Sequence, residues 1–344
     1  AALGLWGELE PAAGPIRHIK VTDGRVGGGP GPFSLSFDHR EIGESPMGWM
    51  VEDRHLRHAL LDAIGAEDAI TYLPGTRVTG QRHVPGAVEV ALSRGASRRA
   101  ALLVGADGRA SATAERVGIR RDHQIYDQTA LVCAIAHSKS HDQTAYQFFV
   151  PEGPVAILPL ADNRSSIVWT ESTRRAAKMN ALSDAAYLET LHARLGDFLG
   201  AFELAGDRYT YPLGSLIARR FVAERVALVG DAAHAMHPIA GQGLNVGLRD
   251  VAALAHVLGE AARRGQDPGG QSVLAGYERW RRLDANLLVG ATDVFNRLFS
   301  NDSAMLRAIR GIGMHAVVAL PALRRNLIRE AAGITGELPD LMSA

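Results

Sequence analysis

The chain has 344 residues, 47% of them hydrophobic, with 37 Lys and Arg against 37 Asp and Glu. That length allows two domains or one elaborated domain with a sizeable core. The balanced charge argues against a nucleic-acid-binding protein, which carries a basic excess, and no run reaches the roughly 18 apolar residues of a membrane span.

The opening AALGLWGELEPAAGP reads as the tail of a helix running into a Gly/Pro loop, with no signal-peptide pattern. IRHIKV and FSLSFDH flank TDGRVGGGPGP and predict a hairpin with a long glycine-rich turn. Gly27, Gly28 and Gly29 raise the question of a phosphate loop. Pro30 and Pro32 follow where a helix start would have to supply amides, so the segment is not read as one. EDRHLRHALLDAI predicts a helix with Leu56, Leu60, Leu61 and Ile64 on one face. AITYL, TRVTGQRHV, AVEVALS and AALLVGADG read as short strands, and the unbroken apolar ALLV suits a buried central strand.

From Gln124 to Tyr211 the runs TALVCAIAH, TAYQFFV, VAILPL and SSIVWT predict an antiparallel sheet, interrupted by a helix over about 184–199. Cys133, inside the first of these runs, reads as a small buried hydrophobe; as the only cysteine it can form no disulfide within the chain. VALVG then predicts a buried strand. A long helix follows, with Leu244, Leu248, Val251, Ala255 and Leu258 expected as its buried stripe. From Ser272 onward the chain reads as helical, with a break near Pro321.

Parallel-type βα pieces thus lie on both sides of an antiparallel block. The pattern predicts an α/β fold with α+β elements. A Rossmann-like nucleotide-binding domain draws on residues 1–15, 41–123 and 213–265. An inserted antiparallel-sheet substrate domain comprises 16–40 and 124–212, and a helical region runs over 266–344.

The stretch VALVGDAAHAMHPIAGQGLNVGLRDVAAL, 226–254, carries the most chemistry. Asp231 follows Gly230 at a strand end, where doubly wound sheets bind ligands and a carboxylate can accept from ribose hydroxyls. Gly241 and Gly243 precede a helix whose first amides are unpaired and partly positive. A ligand with a ribose and a ring that becomes anionic fits, as a flavin dinucleotide does; a ligand-free strand, turn and helix is the other reading. LLVGADGRAS repeats the form with Asp107 and Gly108, and Ser111 is placed to cap the next helix. Asp-Gly is also an ordinary turn. Arg54 sits in the first turn of its helix, where the dipole does not favour a cation; it reads either as a phosphate or carboxylate contact or as a surface charge. His234 and His237 flank a turn rather than share a helical face and have no third ligand, so no metal is expected. No Gly-x-Ser-x-Gly elbow supports a hydrolase.

These residues resemble class A flavin-dependent monooxygenases of the para-hydroxybenzoate hydroxylase fold, and within them the ubiquinone-biosynthesis aromatic hydroxylases. ADGRAS resembles the family's Asp-Gly motif, and the stretch 226–254 resembles its Gly-Asp motif nearly position for position. EDRHLRHALLDAI resembles the helix whose arginine contacts the dinucleotide, and the resemblance covers almost the whole chain. It implies FAD as cofactor, with Asp231 and Gly230 at the ribityl region. Pro238, Gly241, Gly243, Leu244 and Asn245 would line the flavin ring, Arg54 would meet the dinucleotide, and Asp107 and Gly108 would serve FAD. NAD(P)H would act as a transient reductant.

The implied reaction is ring hydroxylation of a prenylated phenol by dioxygen through a flavin C4a-hydroperoxide. Another aromatic hydroxylase or a flavin-linked reductase on the same fold, and a non-catalytic chain, are the alternatives. No catalytic acid or base is assigned. Tyr146, Phe148, Phe149 and VAILPL are candidates for a substrate wall, with the sheet core as their other place. The family's Gly-x-Gly-x-x-Gly unit is absent from this sequence, which gives an N-terminally incomplete FAD-binding domain. The expectation is a longer natural protein, and weak FAD retention and aggregation for this chain alone. Ala114 stands where the family usually has arginine, with Arg116 beyond it, so that arginine's NAD(P)H contact does not carry over. A cytoplasmic protein is implied, meeting the inner-membrane surface or a quinone-biosynthesis complex. The mixture of Phe295, Leu298, Phe299, Ile309, Val317 and Leu320 with Arg307, Arg310, Arg324, Arg325 and Arg329 suits a lipid surface or packing on the FAD domain.

Overall fold

A computed structural model describes residues 2–22, 34–150, 153–237, 241–299, 325, 328, 329 and 338–342, with side chains through residue 290 of the long helix. The glycine-rich turn, Pro238 and nearly all the basic-apolar helical stretch expected after 299 lie outside the described residues.

The chain opens with α1 (Trp6–Leu9), β1 (Gly14–Ile16), the hairpin β2 (His18–Thr22) and β3 (Ser34–Asp38), and β4 (Gly48–Met50). After these come α2 (Asp53–Ala66), β5 (Val78–Val84), β6 (Ala87–Leu92), β7 (Arg98–Ala100), β8 (Leu103–Gly105) and α3 (Ala112–Arg116). The middle holds β9 (Arg121–His137), β10 (Thr144–Phe148), β11 (Val155–Pro159), β12 (Arg164–Ser172), α4 (Thr173–Asn180), α5 (Asp184–Leu195), β13 (Phe202–Leu204) and β14 (Tyr209–Ala218). The last elements are β15 (Val222–Ala223), β16 (Val226–Leu228), β17 (His234–Ala235), α6 (Gly243–Arg263) and α7 (Gln271–Phe299).

A nine-stranded sheet gathers the middle of the chain in the order β17-β14-β9-β12-β11-β10-β2-β3, with β13 also on β9. Its pairs are antiparallel except β10 with β2. Because alternate residues of a strand share a face, one face presents Leu131, Cys133, Ile135, Val155, Ile157, Ile167 and Trp169. These pack on Tyr187, Leu191 and Leu195 of α5 and Ala176 of α4. Ser172 and Ser183 start the two helices by accepting from the amides of Arg175 and Ala186. Only the second helix was expected; the first is too short and polar to announce itself by apolar spacing. Tyr146 and Phe148 close on Phe198 at 4.9 and 6.0 Å and pack against this same core, and Phe149 is buried. As side chains of the α4/α5 face, Tyr146 and Phe148 form core rather than a substrate wall.

A smaller layer holds the motifs. β8 and β16 run parallel, with β15 antiparallel on β16. Val226, Ala227, Leu228 and Phe221 pack with Ala253, Leu254, Leu274 and Tyr277 of α6 and α7, and the Tyr277 hydroxyl donates to the Leu228 carbonyl at 2.7 Å.

α2 forms where expected, with Ala59 buried and Leu60 and Leu61 exposed. Three expectations fail here. AITYL forms no strand; Ile70, Tyr72 and Leu73 are exposed, with no partner strand among the described residues to bury them. ALLV contributes only β8, which among the described residues pairs on one side alone, so Val104 is 41% exposed. On α6 most of the expected stripe points out: Leu244, Leu248 and Val251 are exposed and only Leu258 packs on the core, while Val246, Asp250, Ala252, Ala253 and Leu254 face inward. Close approach decides that choice. α6 crosses the Gly230 turn so tightly that a Cβ on Gly247 would stand 3.2 Å from the Gly230 Cα.

Candidate flavin site

The site is built where the two parallel strands end. Leu228 pairs with Gly105, so β16 and β8 stop side by side. Beyond β16, Gly230 takes φ +58°, a left-handed value that favours glycine, and residues Gly230–Ala232 form one 3-10 turn that presents Asp231. Beyond β8, Gly108 takes φ +75° and ends the Asp-Gly turn. The two acids after the strand ends therefore occupy matching places, as the sequence pattern implied.

Their surroundings differ. Asp107 is occupied by its own helix start: it accepts from Ser111 Oγ at 2.5 Å, Thr113 N at 2.9 Å and Thr113 Oγ1 at 2.8 Å. Burial works to raise its carboxyl, but these hydrogen bonds outweigh burial and hold it below the ordinary value. Ser111 caps α3 by accepting from Ala114 N. The Asp231 side chain is 50% exposed, with Arg109 Nε 3.8 Å away. Arg109 also donates to the Gly214 carbonyl at 2.6 Å, so it ties the Asp-Gly turn to β14 beside Asp231. Nothing in the local pattern singled out Arg109.

Among the described residues the start of α6 is uncrowded. Its N-cap residue Gln242 makes no side-chain capping bond, and Gly241 has φ +61°. Cβ atoms on Gly241 and Gly243 would meet no described residue within 4 Å. Leu244 is exposed beside them, and Asn245 Nδ2 donates to Gln242 Oε1 at 3.4 Å. An uncapped helix start with bare backbone in front of it suits a ring carrying negative charge.

Arg54 is placed elsewhere, on α2. Its Nη2 donates to Glu52 Oε2 at 3.0 Å, and the same carboxylate oxygen accepts from Arg164 at 3.0 Å. Burial raises the Glu52 carboxyl, and the two arginines more than reverse it. Among the described residues no hydrogen bond or ion pair joins Arg54 to Asp107 or Asp231. Ala114, where an arginine was considered, is wholly buried and has no room for one, while Arg116 donates to the Val78 carbonyl at 2.8 Å.

The two histidines of the motif serve hydrogen bonds. His234 Nε2 donates to Asp250 Oδ2 at 2.6 Å, and His237 Nε2 donates to Gln128 Oε1 at 3.2 Å. Asp250 was missed because α6 was expected to bury its other stripe. Gln128 and Tyr126 share the face of β9 opposite Leu131 and Cys133, and the Tyr126 ring meets that of His237 at 5.5 Å. By strand register, Val132, Val168, Ala156 and Tyr209 continue that second face, with Tyr211 opposite Ala130. Both tyrosines are exposed.

The family described as FAD binding domain matches residues 49–292. The chain is 44% identical to ubiquinone hydroxylase UbiL of Rhodospirillum rubrum, over 99% of this chain and 79% of that protein. It is 34% identical to the 3-demethoxyubiquinol 3-hydroxylase of Escherichia coli, over 96% of this chain and 83% of that one. The solved p-nitrophenol 4-monooxygenase PnpA of Pseudomonas putida shares the fold, with a TM-score of 0.78 at 18% identity over 98% of this chain and 86% of that one. A chain matched in this way over residues 49–292 and along nearly its whole length to these relatives belongs to the FAD-dependent monooxygenases, in the ubiquinone-hydroxylase family.

Proposed function

We propose that this monooxygenase hydroxylates the aromatic ring of a prenylated phenol of the ubiquinone series, with FAD between the Gly230–Asp231 turn and the start of α6. The observation that supports the placement is the coincidence of the half-exposed Asp231 carboxylate with a helix start that has no side-chain cap and, among the described residues, nothing crowding Gly241 and Gly243. The relatives named for ubiquinone hydroxylation support the substrate class.

The residues fit the cofactor in distinct ways. Asp231 would accept from hydroxyls of the ribityl chain, and Arg109 keeps a positive charge beside it. The α6 amides at Gly243, Leu244 and Asn245 would offer donors to negative charge on the ring, where preorganised donors cost no reorganisation. Gly230 and Gly241 would complete the backbone lining, and Asp107 and Gly108 would serve the dinucleotide side, toward which Arg54 would have to turn from its place on Glu52; Pro238, also expected at the ring, lies outside the described residues. Asp107 would serve chiefly by fixing its turn, since three donors from α3 already engage it. When bound, FAD takes electrons from NAD(P)H and activates dioxygen, and that chemistry is the cofactor's own.

The protein's part is to seat the phenol and keep water out. The second face of the nine-stranded sheet offers a floor of half-buried small and apolar side chains, Val132, Ala156 and Val168, bordered by Tyr209 and Tyr211. Of the wall expected from Tyr146, Phe148, Phe149 and VAILPL, it keeps Ala156 and leaves Tyr146 and Phe148 in the core. The substrate is lipid-borne, so the enzyme works at a membrane surface or within a quinone-biosynthesis complex; no helix among the described residues is long and apolar enough to cross a membrane.

The test is a quinone profile of a deletion strain. Accumulation of a prenylphenol lacking one ring hydroxyl, relieved by the gene and not by an Asp231→Ala version, supports the reading. A normal quinone pool would overturn it, and loss of a non-prenylated aromatic product instead would point to another hydroxylase on the same fold.

A further inference from the structure

The carboxylate of Asp250 is wholly buried, yet it lies outside the surface that would touch the cofactor. One oxygen accepts from the Gly230 amide at 2.9 Å and from His234 Nε2 at 2.6 Å. The other accepts from Arg281 Nε at 2.8 Å. Arg281, itself buried, donates through Nη1 to Asp284 Oδ2 at 2.5 Å, and Arg249 donates to that same oxygen at 3.1 Å. A buried ion pair of this kind is weak evidence for stability, because desolvation consumes much of the attraction. Its placement is informative. Three separate pieces of chain meet on one side chain of α6: the turn that presents Asp231, the strand β17 that leads toward Pro238, and the helix α7.

Gly247, on the same side of α6, adds the steric half of the device. A Cβ there would stand 3.2 Å from the Gly230 Cα, and one on Gly230 would stand 3.8 Å from the Gly247 Cα. The turn is therefore held by a charge-assisted hydrogen bond at one point and by bare backbone contact at another. Because α6 also begins at the bare backbone of Gly241 and Gly243, its position sets both edges of the flavin site.

We propose that Asp250, with Gly247, is a positioning site that registers the Gly230–Asp231 turn against the start of α6, so that FAD finds Asp231 and the helix amides at the right separation. Asp250 does this without touching the cofactor. The inference rests on the reading of Asp231 as an FAD contact.

The experiment is a double-mutant cycle on FAD binding. FAD is titrated into apoprotein of the natural-length chain and followed by flavin fluorescence, for wild type, Asp250→Asn, Asp231→Ala and the double variant. Asp250→Asn should weaken FAD by about tenfold or more, as expected when a charged hydrogen-bond partner is lost. In the Asp231→Ala background the same change should cost far less, because the group it positions is gone. Equal costs in both backgrounds would show a merely structural role and overturn the proposal. If Asp231→Ala alone leaves affinity unchanged, the reading of Asp231 falls and the inference with it.

Gly247→Ala covers the case in which Asp250→Asn does not fold. Alanine favours the helix more than glycine does, yet its methyl presses on the turn. A folded Gly247→Ala protein with FAD binding reduced about tenfold supports the proposal, and binding within about twofold of wild type overturns it.

Discussion

Replacing Asp231 by alanine should separate ligand binding from folding. The side chain is 50% exposed, and its ion pair is with Arg109 Nε at 3.8 Å, on a side chain that is 44% exposed. Exposed pairs of this kind contribute about 0–1 kcal/mol, so the apoprotein's urea midpoint should move little. Bound FAD changes the balance. A carboxylate that accepts from ribityl hydroxyls in a covered site loses about 1.5–3 kcal/mol of interaction when removed, or roughly ten- to 150-fold in Kd. The assay is a pair of measurements on the same preparations: FAD titration by flavin fluorescence, and urea unfolding of the apoprotein. A large change in Kd with an unchanged midpoint is the expected result. An unchanged Kd, or a midpoint that falls enough to account for the lost affinity, would refute the placement of FAD at this turn.

Tyr277→Phe leaves the Leu228 carbonyl without its 2.7 Å donor in a buried layer, so stability should fall by about 1–3 kcal/mol; an unchanged urea midpoint would contradict this. At Gly105 an added Cβ would lie 2.8 Å from Leu228 Cδ2 and 2.9 Å from Thr113 Cγ2. Gly105→Ala should therefore cost about 1–3 kcal/mol through overpacking, read as a lower thermal midpoint. Asp107 is held below its ordinary value in the folded protein despite burial, by Ser111 and Thr113. Its contribution to stability is thus complete above the unfolded carboxyl value of about 3.9 and is lost as pH falls through the lower folded value. Asp107→Asn should flatten the acid limb of a stability-against-pH curve there, and a parallel curve would count against the cap. Burial against α5 pushes the Cys133 thiol up to about 11, so iodoacetamide at pH 8 should label it only after denaturant is added. Labelling of the native protein would show that this core opens.

Local chemistry marked much of this protein in advance. The two strand-ending acids, the cap at Ser111 and the glycines before α6 are local features, because turns, caps and left-handed residues depend on a few neighbouring atoms. The alternation in β9 and β12 likewise announced a sheet, since a period of two is written directly into the chain. Tertiary structure decided which side of each element is covered. On α6 both stripes are apolar enough to be buried, and the small one won because only Gly247 lets the helix cross the Gly230 turn. That choice exposes Leu244 and Leu248 and carries Asp250 inward to its partners on β17 and α7. Likewise Tyr146 and Phe148 went to the α4/α5 core, leaving the opposite face of the sheet to Val132, Val168 and Tyr209. Burial depends on what packs opposite, and those partners lie far away in the chain, so no local pattern contains them.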